Sequence, residues 1–202
     1  MRIGMNSIVL SSIAIAAAST FATADIVIGN LGDTSGPGSA FGSNSTANYK
    51  AAGFTMTGDY FLDSVTLTVG LSANGATPNM QIWEGDGEPL TLLYDMPDFI
   101  LPEVFLGIPQ DFVWTPGSQI QLNSGTTYWV YMDNSAAGEN WNWDSGFTTP
   151  IGDGGIGAGY SFNGNPSSFR NTFQVNGTLV PAPGVLAMLG VAGLAARRKR
   201  RM

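Results

Sequence analysis

The chain has 202 residues, 15 of them acidic and eight basic, and it contains neither cysteine nor histidine. All 15 acidic residues lie between Asp25 and Asp153. Because residues 25–178 contain these 15 acidic residues but only two basic ones, Lys50 and Arg170, this part has a net charge of −13. So acidic a segment is excluded as a binder of nucleic acid or of anionic membranes, which need Lys and Arg. The missing cysteines exclude disulfides and thiolate sites, and the missing histidines remove the commonest general base and transition-metal ligand.

The N-terminal segment, residues 1–24, has the order of a secretory signal peptide. A positive start precedes an apolar run, residues 8–18, which is too short to cross the roughly 30 Å of a bilayer core. Small residues at Ala22 and Ala24 match the positions that signal peptidase reads. We therefore expect an N-terminal signal helix that is cleaved before Asp25. The alternative is a buried N-terminal helix of the folded protein.

The sequence from 25 to 178 predicts a single β domain of ordinary size. Glycine and proline are frequent, and no segment keeps a helical period over three turns. Short runs of alternating apolar and polar residues predict strands instead. In the clearest run, one face carries four apolar residues, Val65, Leu67, Val69 and Leu71. Further strands are predicted at residues 26–28, 49–56, 80–83, 120–122, 128–132 and 173–175.

The connections between these runs indicate the fold class. Residues 128–132 are apolar on both faces, which is typical of a central strand buried between two layers. Turn residues follow several of the runs, at 85–87, 115–117 and 123–125. Many short strands with such turns predict an all-β fold, a single antiparallel β-sandwich of jelly-roll type, with an up-and-down barrel as the alternative. Two long stretches, 32–48 and the Gly-rich 134–168, are predicted to be irregular.

The tail, residues 179–202, differs from the rest of the chain. A proline motif, Val180-Pro181-Ala182-Pro183-Gly184, precedes the apolar segment 184–196. The segment ends at a basic cluster, residues 197–201, which consists of Arg197, Arg198, Lys199, Arg200 and Arg201. Since prolines interrupt a helix, the apolar segment is a short C-terminal helix and a marginal membrane span. The basic cluster is expected to stay on the cytoplasmic side.

These tail elements resemble the PEP-CTERM sorting signal of exported bacterial proteins, which is also known as the ice-binding protein C-terminal signal. Ala182 stands where that family has a central Glu. The resemblance implies that an exosortase, a membrane-embedded transpeptidase, recognises the tail, cleaves near the proline motif and passes the protein to the cell surface. It also implies a role in biofilm or extracellular polymer, with extracellular polysaccharide as a partner. The alternative is a plain C-terminal membrane anchor.

The middle of the chain is weakly similar to the exported choice-of-anchor β-domains. The similarity rests on residues 51–54 with 62–67, on 80–83 and on 125–130. That family has no assigned activity, so the resemblance implies a fold and an exported location but no reaction.

Two tryptophans suggest a binding surface. Trp141 and Trp143 are two residues apart and so face the same side of a strand, with Asn and Asp residues on the other side. Aromatic rings beside such hydrogen-bonding groups suit sugar recognition, which makes these residues candidates for glycan binding. The alternative is that both indoles pack in the core.

The carboxylates suggest two further kinds of site. Glu84, Asp86 and Glu88 alternate across one turn and have the oxygen ligands that Ca²⁺ prefers, as do Asp144 and Asp153 beside the Gly-rich run. The alternative is that these carboxylates are simply solvated. A pair of carboxylates at a suitable separation would support glycoside hydrolysis.

The sequence as a whole therefore predicts an exported cell-surface or extracellular-matrix protein without catalytic activity, cofactor or metal site. Signal peptidase and an exosortase-like transpeptidase are its expected processing partners, and the inner membrane is an expected transient location. A carbohydrate-binding module that uses Trp141 and Trp143 is the first alternative. A carboxylate-based glycoside hydrolase is the second.

Overall fold

The computed structural model describes residues 24–36, 39–41, 49–73, 75–105, 107–133 and 141–181. Within these ranges the fold is all-β and every strand pair is antiparallel, which confirms the predicted class. In the same ranges, no helix combines the length and the apolar character that crossing a membrane requires. Most of the predicted signal segment and the predicted tail from residue 182 onward, with their two helices, lie outside the described residues.

The described strands form two main sheets and a small ladder of β11 with β14. In chain order they are β1 (Asp25–Gly29), β2 (Ser39–Phe41), β3 (Tyr49–Met56), β4 (Tyr60–Ser72), β5 (Asn79–Glu84), β6 (Thr91–Asp95), β7 (Gln110–Trp114), β8 (Gln121–Leu122), β9 (Thr127–Asp133), β10 (Trp141–Trp143), β11 (Ser145–Gly146), β12 (Gly155–Phe162), β13 (Asn165–Pro166), β14 (Arg170–Asn171) and β15 (Phe173–Leu179). All seven strands predicted from the sequence are therefore present.

The first sheet is organised around β4, a strand of 13 residues. β15 and β10 follow one another along one edge of β4, whereas β7 and β8 pair with its other edge. β1 pairs with β15 and β2 pairs with β10, which completes the sheet. As predicted, Val65, Leu67 and Val69 share one face, and all three are fully buried.

The alternation of β4 changes at Gly70. In the ladder with β10, the partners of Asn142 and Trp143 are two residues apart, so Gly70 is skipped. Such a bulge moves the following residue to the opposite face of the sheet. Leu71 is consequently 38% exposed, and the prediction that it shares the buried face with Val69 is wrong.

The second sheet has the order β13-β12-β3-β9-β5-β6. β9 is central, as predicted, and its Val130 and Met132 are buried in the core. Trp129 and Tyr131 alternate with them and belong to the outer face, because successive side chains of a strand point to opposite sides. That outer face carries Trp129, which lies over Gly53, and Tyr131, which stacks with Tyr49 and Trp83 of the same sheet.

The two sheets share one apolar core in a sandwich-like arrangement. Phe54 of β3 lies 6.1 Å from Tyr128 of β9 and 6.4 Å from Phe173 of β15, measured between ring centroids. These rings therefore join the second sheet to the first. The segment between β6 and β7 adds Met96 and Leu101 to the same core.

Besides β10, whose two tryptophans already suggest a strand, four described strands lie where the sequence predicts irregular stretches: β2, β11, β12 and β13. β12 runs through the Gly-rich part of residues 134–168 and pairs with β3 along its length. The turn to β13 places Asn163 and Gly164 at φ angles of 48° and 78°. Two positive φ angles in a two-residue hairpin define a type I′ turn, for which Asn-Gly is the preferred pair. The prediction of irregular stretches is thus wrong for these four strands, although the sequence contains the hairpin signal between β12 and β13.

The glycine at position 53 of β3 makes room for a side chain of β9. The indole of Trp129 lies over Gly53, where an added Cβ would be 2.8 Å from the ring carbons Cη2 and Cζ3. Real Cβ atoms do not tolerate so short a distance. The close approach of the indole leaves Trp129 only 1% exposed, so the ring has little space into which to move.

We expect Gly53→Ala to lower the free energy of unfolding by about 1–3 kcal/mol, because the added methyl group displaces the Trp129 ring. Gly157→Ala on β12 is the matched control, since an added Cβ there meets nothing closer than 3.9 Å. The control is expected to leave stability unchanged or to raise it by up to about 1 kcal/mol. Urea unfolding measures both variants, and equal stabilities would contradict the packing described.

Candidate functional site

The outer face of the second sheet carries a row of aromatic side chains. Tyr49 and Tyr131 stack with their ring centroids 4.9 Å apart, and Trp83 stacks on Tyr131 at 4.8 Å. Trp83 is the cross-strand neighbour of Trp129, so we call these four residues the aromatic row. Burial, and to a smaller extent the carboxylate of Asp133, raises the pKa of Tyr131 above its usual value. The phenol of Tyr131 therefore stays protonated over the physiological range.

A cleft of about 410 Å³ adjoins the aromatic row at Trp129, and we call it the outer-face cleft. One wall is the turn after β5, and the other is the β12–β13 hairpin. The lining residues are Asp86, Gly87, Glu88, Trp129, Ala158, Gly159, Tyr160, Ser161, Gly164, Pro166 and Ser167. The volume lies within the range of small-molecule sites, about 300–1,000 Å³.

Hydrogen bonds to the backbone hold both walls in place. The indole Nε1 of Trp129 donates to the carbonyl oxygen of Gly85 at 2.8 Å, and the N–H of Gly85 donates to the carbonyl oxygen of Thr127 at 3.1 Å. On the other side, the N–H of Tyr49 donates to Oδ1 of Asn163 at 3.1 Å. The N–H of Asn163 donates in return to the carbonyl oxygen of Tyr49 at 3.2 Å. The cleft is therefore built on the sheet itself.

The polar side chains of the cleft include a buried hydroxyl group and two exposed carboxylates, and none of them is basic. Ser161 pairs with Ala51 in the ladder between β12 and β3, which places it on the outer face. It is 6% exposed, and its Oγ has no hydrogen-bond partner among the described residues. Asp86 and Glu88 are exposed in the opposite wall. None of the lining residues is basic, so the cleft attracts hydrogen-bond donors and disfavours anions.

The structure corrects the glycan-binding hypothesis for Trp141 and Trp143. Both side chains belong to the core of the fold, at 1% and 0% exposure, which is the alternative considered from the sequence. Nε1 of Trp143 donates to the carbonyl oxygen of Thr172 at 2.8 Å. Burial leaves neither indole a ring face for a ligand. Because Trp141 and Trp143 are two positions apart, the sequence predicts that both rings lie on the same face of a strand. It does not show whether that face is buried or exposed.

The carboxylates proposed as calcium ligands do not assemble into a site in the described part of the chain. No group of three or more Asp or Glu residues there is arranged to hold a metal ion, and this includes the set Glu84, Asp86 and Glu88. Asp144 is buried beside Gly70, where Oδ1 accepts the N–H of Ser145 at 2.8 Å, whereas Asp153 is exposed. Burial raises the pKa of Asp144.

A group of hydrogen bonds to Asp33, which the sequence does not predict, fixes the segment after β1 to residues 147 and 148. Asp33 accepts hydrogen bonds from the hydroxyl and N–H of Ser35, from the N–H of Phe147 at 2.7 Å, and from both the N–H and the hydroxyl of Thr148 at 2.6 Å. These hydrogen bonds hold the pKa of Asp33 well below its usual range, and the bond from the Ser35 hydroxyl has the largest effect. The Asp-Thr-Ser order around Asp33 indicates a local turn, but the partners at Phe147 and Thr148 are too distant in sequence to be predicted.

The described residues of the two predicted processing sites lie at the ends of the folded domain. Ala24 and Asp25 are exposed, and Asp25 pairs with Gly177 at the start of β1. The N–H of Val180 donates to the carbonyl oxygen of Asp59, and Pro181 is exposed. The other predicted residues of these sites lie outside the described part of the chain: Ala22, Ala182, Pro183, Gly184, Arg197, Arg198, Lys199, Arg200 and Arg201.

Comparison with known proteins identifies no relative of this chain. No protein-family model, no curated protein and no solved structure matches it. What the protein does is therefore inferred from its own residues and their geometry.

We expect Asp33→Asn to destabilise the protein at neutral pH, since the amide turns one acceptor oxygen into an NH₂ group that faces N–H donors. Because the folded-state pKa of Asp33 lies below the unfolded one, the carboxylate stabilises the fold above about pH 4. This stabilisation is lost as the pH falls towards the folded-state pKa. The difference in urea midpoint between wild type and variant should thus shrink from pH 6 to pH 2.5. Asp98→Asn, a change to an exposed carboxylate, is the control, and a pH-independent difference for Asp33→Asn would contradict the role described.

Proposed function

We propose that this chain is an exported cell-surface or extracellular-matrix protein without catalytic activity, built as one jelly-roll-like β-sandwich between a cleaved signal peptide and a PEP-CTERM-like tail. The observation that supports it most directly is the position of the two processing sites. Asp25, the first residue of β1, pairs with Gly177 near the end of β15, and Ala24 and Pro181, which lie outside these two strands, are exposed. A protease can therefore cut either junction without unfolding a strand.

The distribution of charge also supports export in this orientation. The body from 25 to 178 carries −13, whereas the last residues before Met202 form the basic cluster, residues 197–201. Basic residues next to an apolar segment remain cytoplasmic by the positive-inside rule. The acidic body would thus face the outside while the tail is presented to an exosortase-like transpeptidase in the inner membrane.

The surroundings of two carboxylates, Asp33 and Asp144, argue against a glycoside hydrolase. A glycoside hydrolase needs two facing carboxyl groups, one of which has a raised pKa and serves as the acid. Asp144 has a raised pKa, but it is buried beside Gly70 and does not line the outer-face cleft. The carboxylate of Asp33 is occupied by hydrogen bonds from its own chain.

Mass spectrometry of the protein recovered from the surface of its own cells tests this proposal. We expect a mature chain that begins at Asp25 and lacks the basic cluster, residues 197–201. Replacing all five basic residues of the cluster with Gln should abolish this processing and release the uncleaved precursor from the membrane fraction, since the stop signal that holds the tail in the membrane is lost. Arg170→Gln changes a basic residue of the folded domain and is the control, for which normal processing is expected. Surface protein that retains Arg197–Arg201 would show a plain anchor and contradict sorting by cleavage.

A further inference from the structure

We infer that the outer-face cleft is a binding site for a neutral saccharide, with Ser161, Asp86 and Glu88 as its hydrogen-bonding groups. This inference goes beyond the proposed function, which concerns export and sorting and assigns no ligand to the folded domain. It concerns a different face of the molecule from Trp141 and Trp143.

The hydroxyl of Ser161 is the observation that points to a ligand. A hydroxyl group can donate one hydrogen bond and accept two, and buried polar groups in native proteins almost always have a partner. Ser161 is 6% exposed on a strand of the sheet, and its Oγ has no partner among the described residues. Leaving such a group unpaired costs free energy, which a ligand that hydrogen-bonds to it would recover. A sugar hydroxyl suits this position because it can donate and accept at once.

The charge of the cleft selects among hydrogen-bonding ligands. Asp86 and Glu88 provide carboxylate oxygens, which accept hydrogen bonds, and bonds from hydroxyl groups to carboxylates are stronger than neutral ones. None of the lining residues is basic, and the surrounding domain carries −13. Uronate, sulfate and phosphate groups would therefore be repelled. The ligand that remains is rich in hydroxyl groups and has no negative charge.

The shape of the cleft depends on glycine. Gly159 has a φ of +118° at a register shift of β12, a conformation that residues with a side chain rarely adopt, and nothing lies within 4 Å of the position that a Cβ would take. Gly87 and Gly164 also line the cleft and also have positive φ angles. Both walls thus leave backbone groups uncovered next to the polar side chains.

Hydrogen bonds rather than ring stacking are expected to dominate recognition. Trp129 is 1% exposed and presents no open ring face to the cleft. In the adjoining aromatic row, the ring of Tyr131 is covered by Tyr49 on one side and Trp83 on the other. Neither Trp129 nor Tyr131 therefore offers an uncovered ring face to a ligand. Ser161, Asp86 and Glu88 are therefore expected to contribute most to specificity.

Isothermal titration calorimetry of the full-length chain tests the inference, in a detergent whose headgroup is not a sugar. The probes are neutral hexasaccharides of β-1,4-glucose, β-1,3-glucose, β-1,4-xylose and β-1,4-mannose. A galacturonate hexamer, a glucosamine hexamer and CaCl₂ serve as anionic and cationic comparisons. We expect at least one neutral hexasaccharide to bind and the galacturonate hexamer not to bind. Heat with CaCl₂ or glucosamine alone, or with none of the probes, would overturn the inference.

Matched variants locate the binding. Ser161→Ala should weaken the neutral saccharide by about tenfold or more without lowering the melting temperature, since the hydroxyl has no partner to lose. Glu88→Gln should weaken it similarly, whereas Glu103→Gln, an exposed carboxylate outside the cleft, should leave it unchanged. Ala158→Trp fills the cleft from an exposed position and should abolish binding in a folded protein. Unchanged affinity in Ser161→Ala and Ala158→Trp would overturn the inference, while the sorting proposal would stand or fall separately by the mass of the mature chain.

Discussion

The contact between Trp129 and Gly53 is the constraint on which the outer face of the second sheet depends. Because β3 has no side chain at position 53, the indole lies flat on the strand and its Nε1 reaches the carbonyl oxygen of Gly85. That hydrogen bond ties the turn after β5 to β9, and the turn carries Asp86 and Glu88. One missing methyl group thus determines both the packing of the sheet and the place of the acidic wall of the cleft. A side chain at position 53 would displace the ring and release the turn together.

The charge distribution of the chain imposes a second constraint. Of the basic residues, the folded domain contains only Lys50 and Arg170, and neither lines the outer-face cleft. Lys50 is 2% exposed, and burial lowers its pKa to about 7, so part of its charge is lost at neutral pH. Arg170 donates to the carbonyl oxygen of Phe147 and to Thr149 Oγ1. The surface is thereby acidic almost throughout, which restricts any ligand to neutral or cationic groups.

Much of the fold follows from local sequence pattern, whereas the site does not. β3, β4, β5 and β9 have the period-two alternation or the buried apolar run of strands, and all were predicted. β12 was missed because glycine carries no pattern of hydrophobicity, although Asn163-Gly164 indicates its hairpin. The cleft joins Asp86, Trp129 and Ser161 only because the sheet places β12, β3, β9 and β5 side by side. Strand order is a long-range property that alternation along one strand does not contain.

The two ends of the domain and the cleft belong to different sheets, which bears on how the proposed sorting and the proposed binding would fit together. Both proposed processing sites adjoin β1 and β15, which are neighbours in the first sheet. The outer-face cleft lies on the side of the second sheet that faces away from the shared core. A domain that is attached to a surface through its C-terminal end would therefore be held by one sheet and would present the cleft on the other. An acidic body suits such an arrangement, since repulsion between neighbouring copies favours spacing over aggregation and leaves the cleft open to a neutral polymer.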